Sequence, residues 1–114
     1  MMLKWDFTRT ELKMSNLEMV EQLRIVAEQG DALSQYAMGV IYDTGEILKE
    51  DHEEAVRWYR LAAEQEYAEA QYALGVRYLS GQGVVQDIEE AARLILLAAD
   101  NGSEEAIEFL KGES

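Results

Sequence analysis

Cysteine is absent from the 114-residue chain, and histidine occurs once. Without cysteine there is no disulfide, no thiol nucleophile and no thiolate metal site. One histidine leaves little for zinc ligation or for most general-base designs. Basic residues are also scarce: ten Lys and Arg stand against 23 Asp and Glu, a formal net charge of −13. So acidic a surface repels phosphate, which argues against nucleic acid as a partner by the usual electrostatic route. No run approaches the roughly 20 apolar residues of a membrane span. Asp6, Arg9, Glu11 and Lys13 interrupt what would be the apolar stretch of a signal peptide, so a cytoplasmic chain with no membrane partner is expected. What the chain does have is 48% hydrophobic residues, enough for one small folded domain.

The charge is uneven. Residues 1–13 carry Lys4, Arg9 and Lys13 against Asp6 and Glu11. The remainder carries seven basic and 21 acidic side chains, a net of −14.

The chain also repeats itself. A shift of 36 residues lays Ala27-Glu28-Gln29 on Ala63-Glu64-Gln65, and Gln35-Tyr36-Ala37-Met38-Gly39-Val40 on Gln71-Tyr72-Ala73-Leu74-Gly75-Val76. Tyr42, Gly45 and Asp51 then meet Tyr78, Gly81 and Asp87, and Glu53-Glu54-Ala55 meets Glu89-Glu90-Ala91. Between 27–62 and 63–98, 18 of 36 positions are identical without a gap. The register runs on outward, from Ser15-Asn16-Leu17-Glu18 at one end to Ala106 and Leu110 at the other. This gives two full copies with half-copies on both sides, spanning residues 15–111.

Each copy reads as two helices. Asp51 and Asp87 stand where N-caps belong, each with a glutamate three residues on, and Ser15 with Glu18 forms a capping box. Apolar residues then recur at three- and four-residue spacing, as in Ala55, Trp58, Tyr59, Ala62 and Ala91, Leu94, Ile95, Ala98. Helices are expected near 16–29, 31–43, 51–65, 67–79, 87–101 and 103–111. Gly30 and Gly102 suit the left-handed position that stops a helix. Glu66 holds the same column, where a side chain costs about 1 kcal/mol or more, so an irregular helix end is expected there. Gly45 and Gly81 are expected to take positive φ in the loops 44–50 and 80–86. Ala32, Gly39, Ala68 and Gly75 allow close helix approach. Helix pairs of this kind bury their apolar stripes only by stacking into a solenoid.

From Ala68 to Ala99 the chain carries A-x-A-Q-x-x-L-G-x-x-Y-x-x-G-x-G-V-x-x-D-x-x-x-A-x-x-x-x-x-x-A-A without a break. This resembles the Sel-one-like repeat (SLR), a relative of the tetratricopeptide repeat. The first copy departs from the pattern at Ser34 and at Glu46-Ile47-Leu48. Trp58-Tyr59 matches the family's aromatic pair, and Leu94-Ile95 replaces it in the second copy. The resemblance implies an all-α fold, a right-handed α–α superhelix of two full repeats between half-repeats, with about six helices. It further implies a non-enzymatic scaffold for protein partners. Some cysteine-rich members of the wider family are linked to antibiotic hydrolysis, and this chain has none of those cysteines.

Other motifs have plain structural readings. Gly81-Gln82-Gly83 lacks the third glycine and the preceding strand of a phosphate loop. The pairs Glu53-Glu54, Glu89-Glu90 and Glu104-Glu105 fall in first helical turns, where negative charge complements the helix dipole. His52 aligns with Ile88 near a helix start and is expected to be solvated. Asn101-Gly102-Ser103 has the form of a glycosylation sequon but reads as helix end, glycine stop and next N-cap. No cofactor, metal or catalytic site is expected.

The tyrosines are the informative residues. In the family pattern Tyr42 and Tyr78 match a packing position, and Tyr36 and Tyr72 match a variable one that lines the concave face. With Leu33, Ala37, Val40 and Thr44, and with Glu69, Ala73, Val76 and Ser80, they are expected to form a partly apolar groove for a protein segment. The competing reading makes Tyr36 and Tyr72 core residues.

Two functional classes stay open. One is an adaptor that binds a protein or peptide on its concave face. The other is an acidic immunity or inhibitor protein that neutralises a basic toxin or effector, since acidic surfaces associate quickly with basic enzymes. Residues 1–14 fall outside the repeat and serve either as a cap over the first helix or as a dispensable extension; residues 112–114 are a tail. If the first helix is left uncovered, weak end-to-end dimerisation joins the monomer as an expected state.

Overall fold

The computed structural model describes residues 15–112. The proposed capping segment 1–14 lies outside the described residues, as do residues 113–114. Among the described residues six helices follow one another: α1 (Asn16–Glu28), α2 (Ala32–Thr44), α3 (His52–Glu64), α4 (Ala68–Ser80), α5 (Ile88–Asp100) and α6 (Glu104–Lys111). Every boundary falls within one residue of the sequence expectation. The helices pack chiefly on their neighbours in sequence, α1 on α2, α2 on α3 and so on to α6, which is the nearest-neighbour order of a solenoid.

Local chemistry sets the helix ends. Ser15 and Glu18 form the expected capping box. Asp31, Asp51, Asp87 and Ser103 each accept a hydrogen bond from the backbone N–H three residues on, satisfying a donor the helix leaves free. Only α4 starts without a side-chain cap, because Tyr67 stands at that position. In the two loops, Gly45 (φ 74°) and Gly81 (φ 78°) are left-handed as expected. The loops close with Asp51 N–H donating to the Tyr42 carbonyl and Asp87 N–H to the Tyr78 carbonyl, both at 2.9 Å.

The end of α3 corrects one expectation. Glu66 takes φ 65° and the helix stops as regularly as its two counterparts. Glu66 N–H donates to the Ala63 carbonyl and Tyr67 N–H to the Ala62 carbonyl. The same pair of bonds follows α1 through Gly30 and Asp31, and α5 through Gly102 and Ser103. The paired stop bonds outweigh the steric cost that the Glu66 side chain adds.

The core runs along the stack. Ala55, Val56, Tyr59, Ala62, Ala63, Ala70, Leu74 and Leu94 form its centre. Val20, Ala27, Met38 and Trp58 extend it toward α1, and Ile95, Ala98 and Ala106 toward α6. Close approach depends on the helical glycines: a Cβ on Gly39 would meet the Tyr59 ring at 2.5 Å, and one on Gly75 would meet Ile95 at 2.8 Å. Tyr42 and Tyr78 pack against the central core, in line with their expected packing role.

One buried polar ladder ties the copies together. Gln35 and Gln71 are almost wholly buried. Gln35 Nε2 donates to the Ala27 carbonyl at 3.1 Å, and Gln71 Nε2 to the Ala63 carbonyl at 3.3 Å, each reaching the end of the preceding helix. Their amide oxygens accept from Gln65 and Asn101, both at 2.9 Å, the residues that end the following helix of each pair. Each of these two glutamines thus adds a second donor to a helix-end carbonyl and holds the next turn in place, which accounts for Gln in both copies.

Candidate interaction groove

Residues of three helices that are not neighbours in sequence, α2, α4 and α6, come together on one face of the stack. Between them runs an open groove of about 190 Å³ lined by Tyr36, Asp43, Glu69, Tyr72, Ala73, Val76, Arg77 and Glu105. Five of the residues expected there are brought together: Tyr36, Glu69, Tyr72, Ala73 and Val76. The other five do not line it. Leu33 is exposed, Ala37 is half-buried, and Val40 packs into the central core. Thr44 and Ser80 lie exposed at the ends of their helices, where the Ser80 hydroxyl donates to the Arg77 carbonyl.

Both tyrosines combine the two readings open from sequence. Tyr36 packs against the central core, with its ring 5.8 Å from Tyr59 and 5.6 Å from Tyr67. Tyr72 packs against the α5–α6 core and meets Phe109 edge-on at 6.4 Å. Each buries part of its ring and leaves the rest on the groove. Burial pushes the Tyr36 phenol above its usual range, and Glu105 and Glu69 push it further the same way. The charged side chains of the lining, Asp43, Glu69 and Glu105 against Arg77, are net negative.

At one end of the groove is a polar node that sequence reasoning missed. Asp43 Oδ2 accepts from the Tyr59 hydroxyl at 3.0 Å. Asp43 Oδ1 accepts from His52 Nδ1 at 2.8 Å and from Arg77 Nη1 at 3.2 Å. Arg77 Nη1 also donates to Gln82 Oε1 at 2.7 Å, while its Nε is buried without a hydrogen-bond partner. Tyr59 is raised far above the ordinary phenol range, first by burial and then by the Asp43 charge beside it. His52, expected from its column to be solvated, is instead half-buried and held by Asp43 across the α2–α3 junction. The signal was in the columns where the copies disagree: Asp43, His52 and Tyr59 align with Leu79, Ile88 and Ile95.

The G-x-G of the second loop is structural. A Cβ on Gly83 would collide with the His52 backbone carbonyl, so that glycine lets the loop seat on the start of α3. Among the described residues no group of His, Asp and Glu is arranged to hold a metal ion, and no helix is long and apolar enough to cross a membrane.

Comparison with known proteins agrees with this architecture. The family model for the Sel1 repeat matches residues 32–67 and 68–103, so a family unit begins at α2 and again at α4. Among solved structures, the chain is similar to a Sel1 repeat protein from Oxalobacter formigenes, at 34% identity and a TM-score of 0.73 over 76% of this chain and 36% of that one. It is also similar to c5321, a protective antigen of uropathogenic Escherichia coli strains displaying an SLR fold, at 37% identity and a TM-score of 0.72 over 82% of this chain and 21% of that one. The Helicobacter pylori cysteine rich protein B shares the fold, with a TM-score of 0.79 at 23% identity over 84% of this chain and 72% of that one. The chain therefore spans about a third and a fifth of the first two relatives. A search of curated proteins finds no match. Proteins of this repeat class are generally interaction modules and typically non-catalytic scaffolds. Two matched repeats, the six stacked helices and the 36-residue register lead to one assignment: the chain belongs to the Sel1 repeat family.

Proposed function

We propose that the chain is an interaction module that takes a protein segment, carrying at least one basic side chain, along the groove between α2, α4 and α6. The observation that carries this reading is the lining itself. Two tyrosine rings are held from behind by core contacts and present their remaining faces beside the carboxylates of Glu69 and Glu105. Tyrosine contributes contact area at small cost in side-chain freedom, and a lysine or arginine laid against its face gains from the ring quadrupole. The acidic rim adds attraction for a basic segment and speeds its association.

Glu69 and Glu105 are exposed, so reversing their charge leaves the core untouched. In parallel captures from native lysate, Glu69→Lys with Glu105→Lys is expected to stay folded, with a melting temperature lowered by several degrees through the loss of first-turn negative charge, and to lose the partner held by the unaltered chain. Tyr72→Ala should weaken capture of the same partner. Undiminished capture by the folded double variant overturns the reading.

A further inference from the structure

The repeat register exposes an imbalance at the first helix. In α3, Ala55, Trp58, Tyr59 and Ala62 are all at most 3% exposed, sealed largely by α2 and its loop. Their counterparts in α1 are Met19, Gln22, Leu23 and Val26; Met19 is 55% and Val26 42% exposed. These four residues, with Ile41 and Ile47, line an open apolar groove of about 380 Å³. It is the groove that a helix equivalent to α2 fills at α3.

We propose that residues 1–14 cover this groove, with residues 1–8 standing on α1 as the second half of α2 stands on α3. The same 36-residue shift that relates the two copies lays 1–8 on 37–44 and 9–14 on the loop 45–50, and it brings the chain to Ser15, the N-cap of α1, at the groove's edge. Size complementarity supports the register. The Gly39–Tyr59 contact, glycine against a large ring, becomes Leu3 against Leu23. Ile41, which packs on the cluster holding Trp58, becomes Trp5, and Trp58 becomes Gln22. In each case the bulk moves from one helix to the other. The segment is also net basic, +1 (three basic, two acidic), against −14 for the rest of the chain.

The absence of native cysteine makes the test clean. A Cβ on Gly39 would lie 3.2 Å from Tyr59 Cγ, so the register places Cβ atoms at positions 3 and 23 within reach of a disulfide. In the full chain, Leu3→Cys with Leu23→Cys is expected to close an intramolecular disulfide in most molecules under mild oxidant. The pair Lys4→Cys with Leu23→Cys, one residue out of register, should close in far fewer. An intermolecular disulfide instead overturns the proposal in favour of a second copy on this face, and equal closure of both pairs overturns the register. A measurement without cysteines is independent of that geometry: Trp5→Ala should lower the melting temperature by about 10 °C. It should also speed amide exchange in α1 at least about tenfold, with α5 unchanged, the local opening expected when a cover is lost. An unchanged melting temperature with unchanged α1 exchange overturns the proposal.

Discussion

The two copies share a scaffold and differ at the junction between their helices. In the first, Asp43 at the end of α2 gathers His52 and Tyr59 from α3 and Arg77 from α4. In the second, the columns of Asp43, His52 and Tyr59 hold Leu79, Ile88 and Ile95. Both solutions close on a helical glycine, Gly39 or Gly75, and both junctions end in the same bond from an aspartate N–H to a tyrosine carbonyl. A polar node is thus not required to hold a helix pair of this repeat together. It is present where the junction borders the groove. A partly buried network depends on every member being satisfied, and it fixes side-chain positions that an apolar junction leaves to packing alone.

The comparison can be broken most severely at its centre. Asp43→Ala leaves Arg77, His52 and the Tyr59 hydroxyl without their shared acceptor, and it should cost about 3 kcal/mol in urea denaturation. Leu79→Ala, in the same column of the second copy, should cost about 1 kcal/mol, since Leu79 is only half-buried. Equal losses would mean that Asp43 contributes no more than its volume. The copies should behave alike at the glutamine ladder. Gln35→Ala and Gln71→Ala each delete a buried amide that links a helix-end carbonyl, which keeps its backbone donor, to the side chain of Gln65 or Asn101, for a loss of about 1–2 kcal/mol. A clear difference between them would show that one rung carries the stack.

Smaller effects sharpen the contrast. Tyr59→Phe should cost about 1 kcal/mol at neutral pH by deleting the bond to Asp43. It should also change the alkaline limb. A phenol whose pKa is raised by folding holds its proton in the native state after the unfolded chain has lost it. Its stabilisation is complete below about pH 10 and declines as the pH rises further. Melting temperatures above that pH should therefore fall less steeply in Tyr59→Phe than in the unaltered chain; Tyr36 and Tyr67, shifted in the same direction, keep part of the slope. Last, Glu66→Gly should stabilise by about 0.5–1 kcal/mol, and Gly102→Ala in the same column should destabilise by a similar amount. Gly102→Ala meets no steric crowding, since nothing lies within 4 Å of an added Cβ, so its cost is that of the left-handed backbone alone.

Much of this was legible in the sequence, for a physical reason. Self-similarity reports the positions that both copies need, so caps, glycine turns, the small residues at helix crossings and the tyrosines were visible in the 36-residue shift. The same procedure passes over what only one copy has. Asp43, His52 and Arg77 are polar residues at unmatched positions, and no local spacing announces that three helices bring them to one point. Gln35 and Gln71 were visible as identical but not as buried clamps, because their partners are backbone carbonyls, which sequence does not display. The groove was half legible: the family resemblance put Tyr36 and Tyr72 on its wall, but the expected lining extended to Val40, which packs against the core. Glu105 joined from α6 by the superhelical stacking alone.

The central claim is that the first copy's polar junction serves the groove and not the fold. Its most direct test replaces the node with the apolar residues of the matching columns: Asp43→Leu, His52→Ile, Tyr59→Ile and Arg77→Ile in one chain. Urea denaturation and partner capture are then measured side by side. The account predicts stability within about 1–2 kcal/mol of the unaltered chain, as expected when a buried polar network is exchanged whole for apolar residues, together with loss of capture. An unfolded chain, or a folded one that captures its partner undiminished, would contradict it.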